Sequence, residues 1–233
     1  WKMFGGVSTL NSLKKVIKFL KTFKKSKKIK IIYCPPNTLI DLMTKKFLKT
    51  RIEVGAQNCH QSLSYAPLTG SINPSMLKSV GAKYVIIGHS ENRQAGETDK
   101  LINLKVKAAI KSGLKVIFCI GETLGHKRKK ITKRILLRQI KLGLDKVQKK
   151  NIIIAYEPVW SIGTGIIPKS DELLKTIDFI KNKLKNNKVL YGGSVNPKNI
   201  RDLKSIKNID GFLIGGASQE PKKFIDIIKK TYN

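Results

Sequence analysis

Short runs of isoleucine, valine and aromatic residues punctuate this chain, and in all but the run at 51–55 the apolar positions are consecutive, not alternate. A strand that is apolar on both faces suits a parallel sheet covered on both sides. Seven such runs occur, at residues 30–34, 51–55, 83–87, 115–119, 152–156, 188–191 and 211–214. Between them the period lengthens. Leu10, Leu13, Ile17, Leu20 and Phe23 fall on one helical face with lysines opposite. Residues 38–49, 99–111, 132–147, 171–184, 197–205 and 221–230 read as helices too. Ser170-Asp171-Glu172 reads as a helix start, and Asn196-Pro197 as another with proline at the first helical position. Strict alternation with short connections and no linker predicts one parallel α/β domain over residues 1–233.

Trp1-Lys2-Met3 stands directly before a loop and the first helix, where the end of a further strand belongs. Counting it gives eight strand–helix units. The expected fold is therefore a (β/α)8 barrel whose first strand is largely missing from this sequence. Trimming ahead of Trp1 is the expected reason, since an open seam would leave two strand edges unpaired.

Such barrels carry their chemistry at the C-terminal strand ends. Read there, the chain offers Lys2, Cys34 to Asn37, Gln57-Asn58, Gly88-His89-Ser90-Glu91, Gly121-Glu122-Thr123, Glu157, Gly192-Gly193-Ser194 and Gly215-Gly216. Glu157 ends a buried strand, and Pro158 then opens a loop that runs to Gly163-Thr164-Gly165. A carboxylate followed by a glycine-hinged loop suits a proton-abstracting enzyme with a closing lid. The alternative is an ordinary strand exit with a solvated glutamate. His89 follows a strand and precedes a helix start, where backbone amides and the helix dipole favour a neutral imidazole. Ser194 lacks the G-x-S-x-G elbow of a nucleophile. With Gly215 and Gly216 it fits a phosphate cradle of backbone N–H groups after the last two strands. Glu91 and Glu122 read equally as partners of the reacting groups or as helix-start carboxylates.

Charge changes the picture little. The balance is +32, and 41 of the 47 basic residues are lysine, scattered over helix surfaces. Attraction to nucleic acid or an anionic membrane is one reading. Compositional drift toward AT-rich codons is the other, and it is preferred, because no nucleic-acid-binding signature accompanies the charge. No specific nucleic-acid or membrane partner is expected. There is no transmembrane-length apolar run, no signal-peptide pattern, no Walker A sequence and no metal-ligand cluster. Three cysteines without C-x-x-C spacing suggest reduced thiols and a cytoplasmic protein. His60 and His126 are read as surface residues.

The segments Trp-Lys-Met at the start, Gly-Ala-Gln-Asn at 55–58, Ile-Gly-His-Ser-Glu at 87–91 and Cys-Ile-Gly-Glu-Thr-Leu at 119–124 resemble the triosephosphate isomerase family. So do Ala-Tyr-Glu-Pro-Val-Trp at 155–160, Ile-Gly-Thr-Gly at 162–165, Tyr-Gly-Gly-Ser-Val at 191–195 and Gly-Gly-Ala-Ser at 215–218. The resemblance runs through the whole chain in order. It implies a cofactor-free, metal-free isomerase that interconverts dihydroxyacetone phosphate and glyceraldehyde 3-phosphate through an enediolate. It implies Glu157 as the base, His89 as the neutral electrophile and Lys2 as the positive charge. It implies phosphate contacts from Gly163, Ser194, Gly215 and Gly216, with Ser90, Glu91, Cys119 and Glu122 supporting the reacting groups. It also implies a lid over residues 158–168 and a homodimer built on loop 61–71. A barrel retained only as a binding protein is the competing reading; intact Lys2, His89 and Glu157 speak against it. The chain departs from the family's pattern at Phe4, Ser71, Asn92, Ile166-Ile167 and Gln219. Ser71 and Asn92 stand where relatives often hold an ion pair between subunits.

Overall fold

The structure is a computed structural model, and it describes residues 1–232. Seven strands form one parallel sheet in sequence order: β1 (Ile31–Tyr33), β2 (Ile52–Ala56), β3 (Tyr84–Ile87), β4 (Lys115–Ile120), β5 (Ile152–Tyr156), β6 (Lys188–Tyr191) and β7 (Gly211–Phe212). The helices are α1 (Leu13–Thr22), α2 (Ile40–Phe47), α3 (Pro74–Ser79), α4 (Ser90–Gln94), α5 (Asp99–Lys111), α6 (Leu124–Arg128), α7 (Thr132–Gly143), α8 (Ser170–Lys183), α9 (Ile200–Ser205) and α10 (Pro221–Tyr232).

Alternate strand residues face two separate apolar clusters. Tyr84, Ile86, Ile117, Cys119 and Ala155 form one, joined by Ile32 of β1 and by Leu213, which follows β7. The first and last strands thus line the same interior, so the sheet is curled into a barrel. The other cluster takes the opposite set, including Tyr33, Val54, Val85, Ile87, Phe118, Ile154 and Val189, and packs them under the helices. Consecutive apolar positions in the sequence are the signature of this two-faced burial. At the N-terminal end of the barrel Glu53 closes the interior, accepting from Lys30 at 2.7 Å, Lys83 at 3.2 Å and the Tyr84 hydroxyl at 3.1 Å.

Trp1 and Lys2 sit between β1 and the segment after β7, the two ends of the sheet. The Trp1 indole N–H donates to Ser218 O at 3.0 Å, and its ring stands edge-on to Tyr33, 6.0 Å between centroids. Gln57 Nε2 donates to Lys2 O at 2.7 Å. Lys2 holds φ 49°, a left-handed conformation uncommon for lysine, and these neighbours keep it there.

Element boundaries depart from the sequence reading at a few points. The helix expected over 197–205 begins at Ile200, because Asn196 Oδ1 accepts from Lys198 N (2.8 Å) and Asn199 N (3.2 Å) and folds 197–199 into a turn. The helix expected over 132–147 ends at Gly143, and Lys146 then takes φ 53°. His60 and His126 are half-buried, and each caps local backbone. His60 Nδ1 accepts from Ser62 N, and His126 forms a reciprocal box with Thr123 at the start of α6.

Candidate active site

Glu157 directly follows β5. Its backbone N–H donates to Ile120 O at 2.8 Å, which fixes it beside the end of β4. Gly121 permits that closeness: a Cβ there would lie 1.7 Å from Glu157 O. Gln139 of α7 holds Gly121 from the other side, its amide bonding both Gly121 N (2.9 Å) and Gly121 O (3.0 Å). The Glu157 side chain is therefore buried at the barrel mouth. Its Oε2 accepts from Ser90 N at 3.4 Å, and its Oε1 lies 3.2 Å from His89 Nε2.

His89 reaches this position through Gly88, whose φ of 78° turns the chain sharply off β3. His89 then caps α4, with Nδ1 accepting from Glu91 N at 3.3 Å. An acceptor Nδ1 assigns the proton of a neutral ring to Nε2, so Nε2–H points at Glu157. Burial pushes the His89 pKa down, with Lys2 adding to the effect and Glu91 opposing it. Burial pushes Glu157 the other way, up to about 8, against the Ser90 amide, Lys2 and the Cys119 thiol, which all favour its charged form. Opposite shifts on two groups 3.2 Å apart leave a carboxyl poised near neutrality beside a neutral imidazole. Lys2 Nζ pairs with Glu91 Oε1. Burial alone would raise the Glu91 pKa, but the Lys2 bond and charge bring it below the ordinary value.

The supporting residues divide into two groups. Ser90, Glu91 and Cys119 touch Glu157, His89 or Lys2, and Cys119 lies in the barrel interior with its thiol pushed well up by burial. Glu122 does not. It is buried under loop 158–168, where it accepts from Trp160 Nε1 (2.8 Å) and the Tyr156 hydroxyl (3.1 Å) and its own carbonyl accepts from Val159 N (3.0 Å). Its carboxyl pKa is raised, chiefly by burial. Gly163 lies exposed at the tip of loop 158–168 with φ 73°. Ser194 N donates to Ser161 Oγ at 3.3 Å. Gly215 leads into a single 3-10 turn, Gly216–Ser218, and a Cβ on Gly215 would lie 3.9 Å from Lys2 Cε. Among the described residues no three metal-ligating side chains gather to hold an ion.

Three features escaped sequence reasoning. Arg93 crosses beneath the site, donating from Nε to Gly88 O (2.7 Å), from Nη1 to Asp99 (2.6 Å) and from Nη2 to Cys119 O (3.2 Å). It ties the ends of β3 and β4 together. Ser161 is fully buried and anchors loop 158–168, with its hydroxyl donating to Ile166 O at 2.5 Å and meeting the Tyr191 hydroxyl at 3.1 Å. Gln57 joins Lys2 O to Cys34 O. The only sequence signal for Arg93 was an arginine in a lysine-rich chain, next to the His-Ser-Glu segment.

The Triosephosphate isomerase family profile matches residues 1–231. The chain belongs to the triosephosphate isomerase family. It is an isomerase of the class that interconverts dihydroxyacetone phosphate and glyceraldehyde 3-phosphate in glycolysis. A triosephosphate isomerase of Thermodesulfovibrio yellowstonii is 43% identical over 205 residues, 84% of this chain and 83% of that one. One from the yeast Zygosaccharomyces bailii is 41% identical over 231 residues, 94% of this chain and 92% of that one. The crystal structure of triosephosphate isomerase from Bartonella henselae superposes with a TM-score of 0.90 at 35% identity, covering 100% of this chain and 97% of that one. The curled seven-stranded sheet is thus a TIM barrel. Among the described residues no helix is long and apolar enough to cross a membrane.

Proposed function

We propose that Glu157 is the base of this isomerase and shuttles one proton between C1 and C2 of the triose phosphate. His89, neutral and protonated on Nε2, donates to the substrate oxygens as charge develops on them; triosephosphate isomerases are the established example of such a neutral electrophile. Lys2 adds positive charge at the enediolate. The backbone amides of Gly163, Gly215 and Gly216 hold the phosphate, joined by that of Ser194, which exchanges its bond to Ser161 Oγ for the ligand. The lid, residues 158–168, excludes water so that the enediolate keeps its phosphate. No cofactor or metal is required by this chemistry. The observation that carries the assignment is the 3.2 Å approach of His89 Nε2 to a buried Glu157 carboxylate, with Nδ1 committed as an acceptor.

The chain acts as one barrel domain and as a cytoplasmic homodimer. Dimerisation is supported by loop 61–71, in which Tyr65 is 76% exposed and Leu68 45% exposed. Its root is rigid. Asn58 Nδ2 donates to Glu97 (2.8 Å), Lys105 bonds both Asn58 and Glu97, and His60 N donates to Ile72 O (2.8 Å). A firmly held loop with an apolar tip suits insertion into a second copy.

Glu157→Asp tests the site. It withdraws the carboxylate by one methylene, and a displacement of that size costs on the order of 100-fold in turnover. In a coupled assay with glyceraldehyde 3-phosphate, kcat is expected to fall by about that factor while phosphoglycolate binding persists. Near-normal turnover would remove Glu157 from the role of base.

A further inference from the structure

The entry hinge of the lid is gripped on two sides. Trp160 stands two residues after Pro158, and its indole N–H donates to Glu122 Oε1. The face of the same ring is covered by Lys127 of α6, with Nζ 4.0 Å from the ring centroid. Lys127 is itself held by Glu172 Oε2 at 2.8 Å. Glu172 lies in the first turn of α8, and α8 begins two residues beyond Pro168, where the lid ends. One ammonium group therefore links the residue at the lid's entry to the helix at its exit. The lid tip, Gly163 to Ile166, is exposed, and its side-chain hydrogen bonds stay within the loop, from Ser161 Oγ to Ile166 O and from Thr164 Oγ1 to Ser161 O at 3.2 Å.

We propose that Lys127, fixed by Glu172, is a latch that holds the lid in its substrate-free position, acting as a positioning residue through Trp160. The inference rests on reading residues 158–168 as a lid. An ammonium over an indole face is an attractive contact, and its carboxylate partner keeps the long lysine side chain from wandering. A ligand closes the lid only by its differential affinity for the two positions, so every contact made in the open position alone weakens apparent binding. Lys127 thus sets how readily the site closes and reopens without touching the substrate.

The test uses the whole enzyme with both tryptophans replaced by 5-fluorotryptophan, and Trp160→Phe assigns the Trp160 fluorine resonance. Titration with 2-phosphoglycolate should move that resonance in the unsubstituted protein; if it does not, the lid reading fails and the latch with it. Given that movement, Lys127→Met should shift the free protein's resonance toward the bound position and tighten phosphoglycolate binding about three- to fivefold, the scale of a partly exposed cation–π contact. Glu172→Gln should act in the same direction with smaller effect, and Lys127→Arg should restore the original values. A Lys127→Met protein whose free resonance stays in place, or which binds phosphoglycolate more weakly, overturns the latch while leaving the lid reading intact.

Discussion

Glu157 makes its own ionisation unfavourable, and that has a consequence for stability. The folded protein holds its pKa at about 8, against 4.5 for an ordinary glutamate, chiefly by burial. A group whose folded pKa is raised contributes most to stability below its unfolded value and loses that contribution as pH climbs to the folded one. The window here runs from about pH 4.5 to about pH 8. Glu157→Gln keeps the neutral form at every pH. It should abolish activity yet raise the thermal midpoint, slightly at pH 5 and increasingly toward pH 9, where the gain should exceed about 1 kcal/mol, since tenfold in proton affinity is about 1.4 kcal/mol. The two proteins share every other titrating group, so their difference isolates this one. Equal midpoints at pH 9 would mean that water or a conformational change relieves the buried charge. At this scale the sequence was legible wherever position along a strand decides where a side chain lies. Glu157 and His89 stand at strand ends, and strand ends face the mouth. Arg93 was opaque because its value lies in partners such as Cys119 O, 26 residues away, which no local pattern discloses.

At the scale of elements, the site depends on how closely the end of β4 approaches the end of β5 at Glu157. Gly121→Ala places a methyl carbon 1.7 Å from Glu157 O, so the two segments must part. Gly143→Ala is the matched control: its Cβ would meet the Phe118 ring at 2.5 Å, in the helix–sheet layer and not at the mouth. Both should destabilise the fold by about 1–3 kcal/mol, as overpacked positions do. Only Gly121→Ala should also cut kcat out of proportion, since it displaces the backbone that carries Glu157, the proposed base. Comparable kcat losses in the two would show that Gly121 serves stability alone. The strands and long helices were readable because burial on two faces and a single apolar stripe are strong periodic signals. What failed were boundaries set by side-chain competition for backbone. Asn196 diverts three residues into a turn, and Pro197, read as a first helical residue, lies inside that turn. The supports of loop 158–168 were hidden for another reason: Glu122 and Lys127 follow β4, Glu172 opens α8, and they meet around Trp160 only in the fold.

At the scale of the molecule, the charge of +32 is the dominant unspent feature. Several of the 15 carboxylates already face cations inside the fold, as Glu53, Glu97, Asp99 and Asp210 do, so the surplus is spread over the surface as unmatched lysine. Two copies brought together repel. Opposing that repulsion is loop 61–71, whose exposed Tyr65 and Leu68 gain by burial against a partner at roughly 25 cal/mol per Å² of apolar surface. The loop's Ser71 and the half-buried Asn92 are neutral, so no ion pair between those positions offsets the like charge. Its absence should matter little, because exposed pairs contribute at most about 1 kcal/mol. Salt acts on the two opposing contributions unequally. The screening length falls from about 30 Å at 0.01 M to about 8 Å at 0.15 M ionic strength, which removes most of the repulsion and leaves the apolar contact in place. Dimerisation should therefore strengthen as salt is raised to the physiological range. Sedimentation at micromolar protein should show the dimer fraction rising between those two conditions. A monomer at both would refute the dimer. A dimer that loosened with salt would instead mean that attraction between unlike charges, not burial of the loop, holds the subunits together.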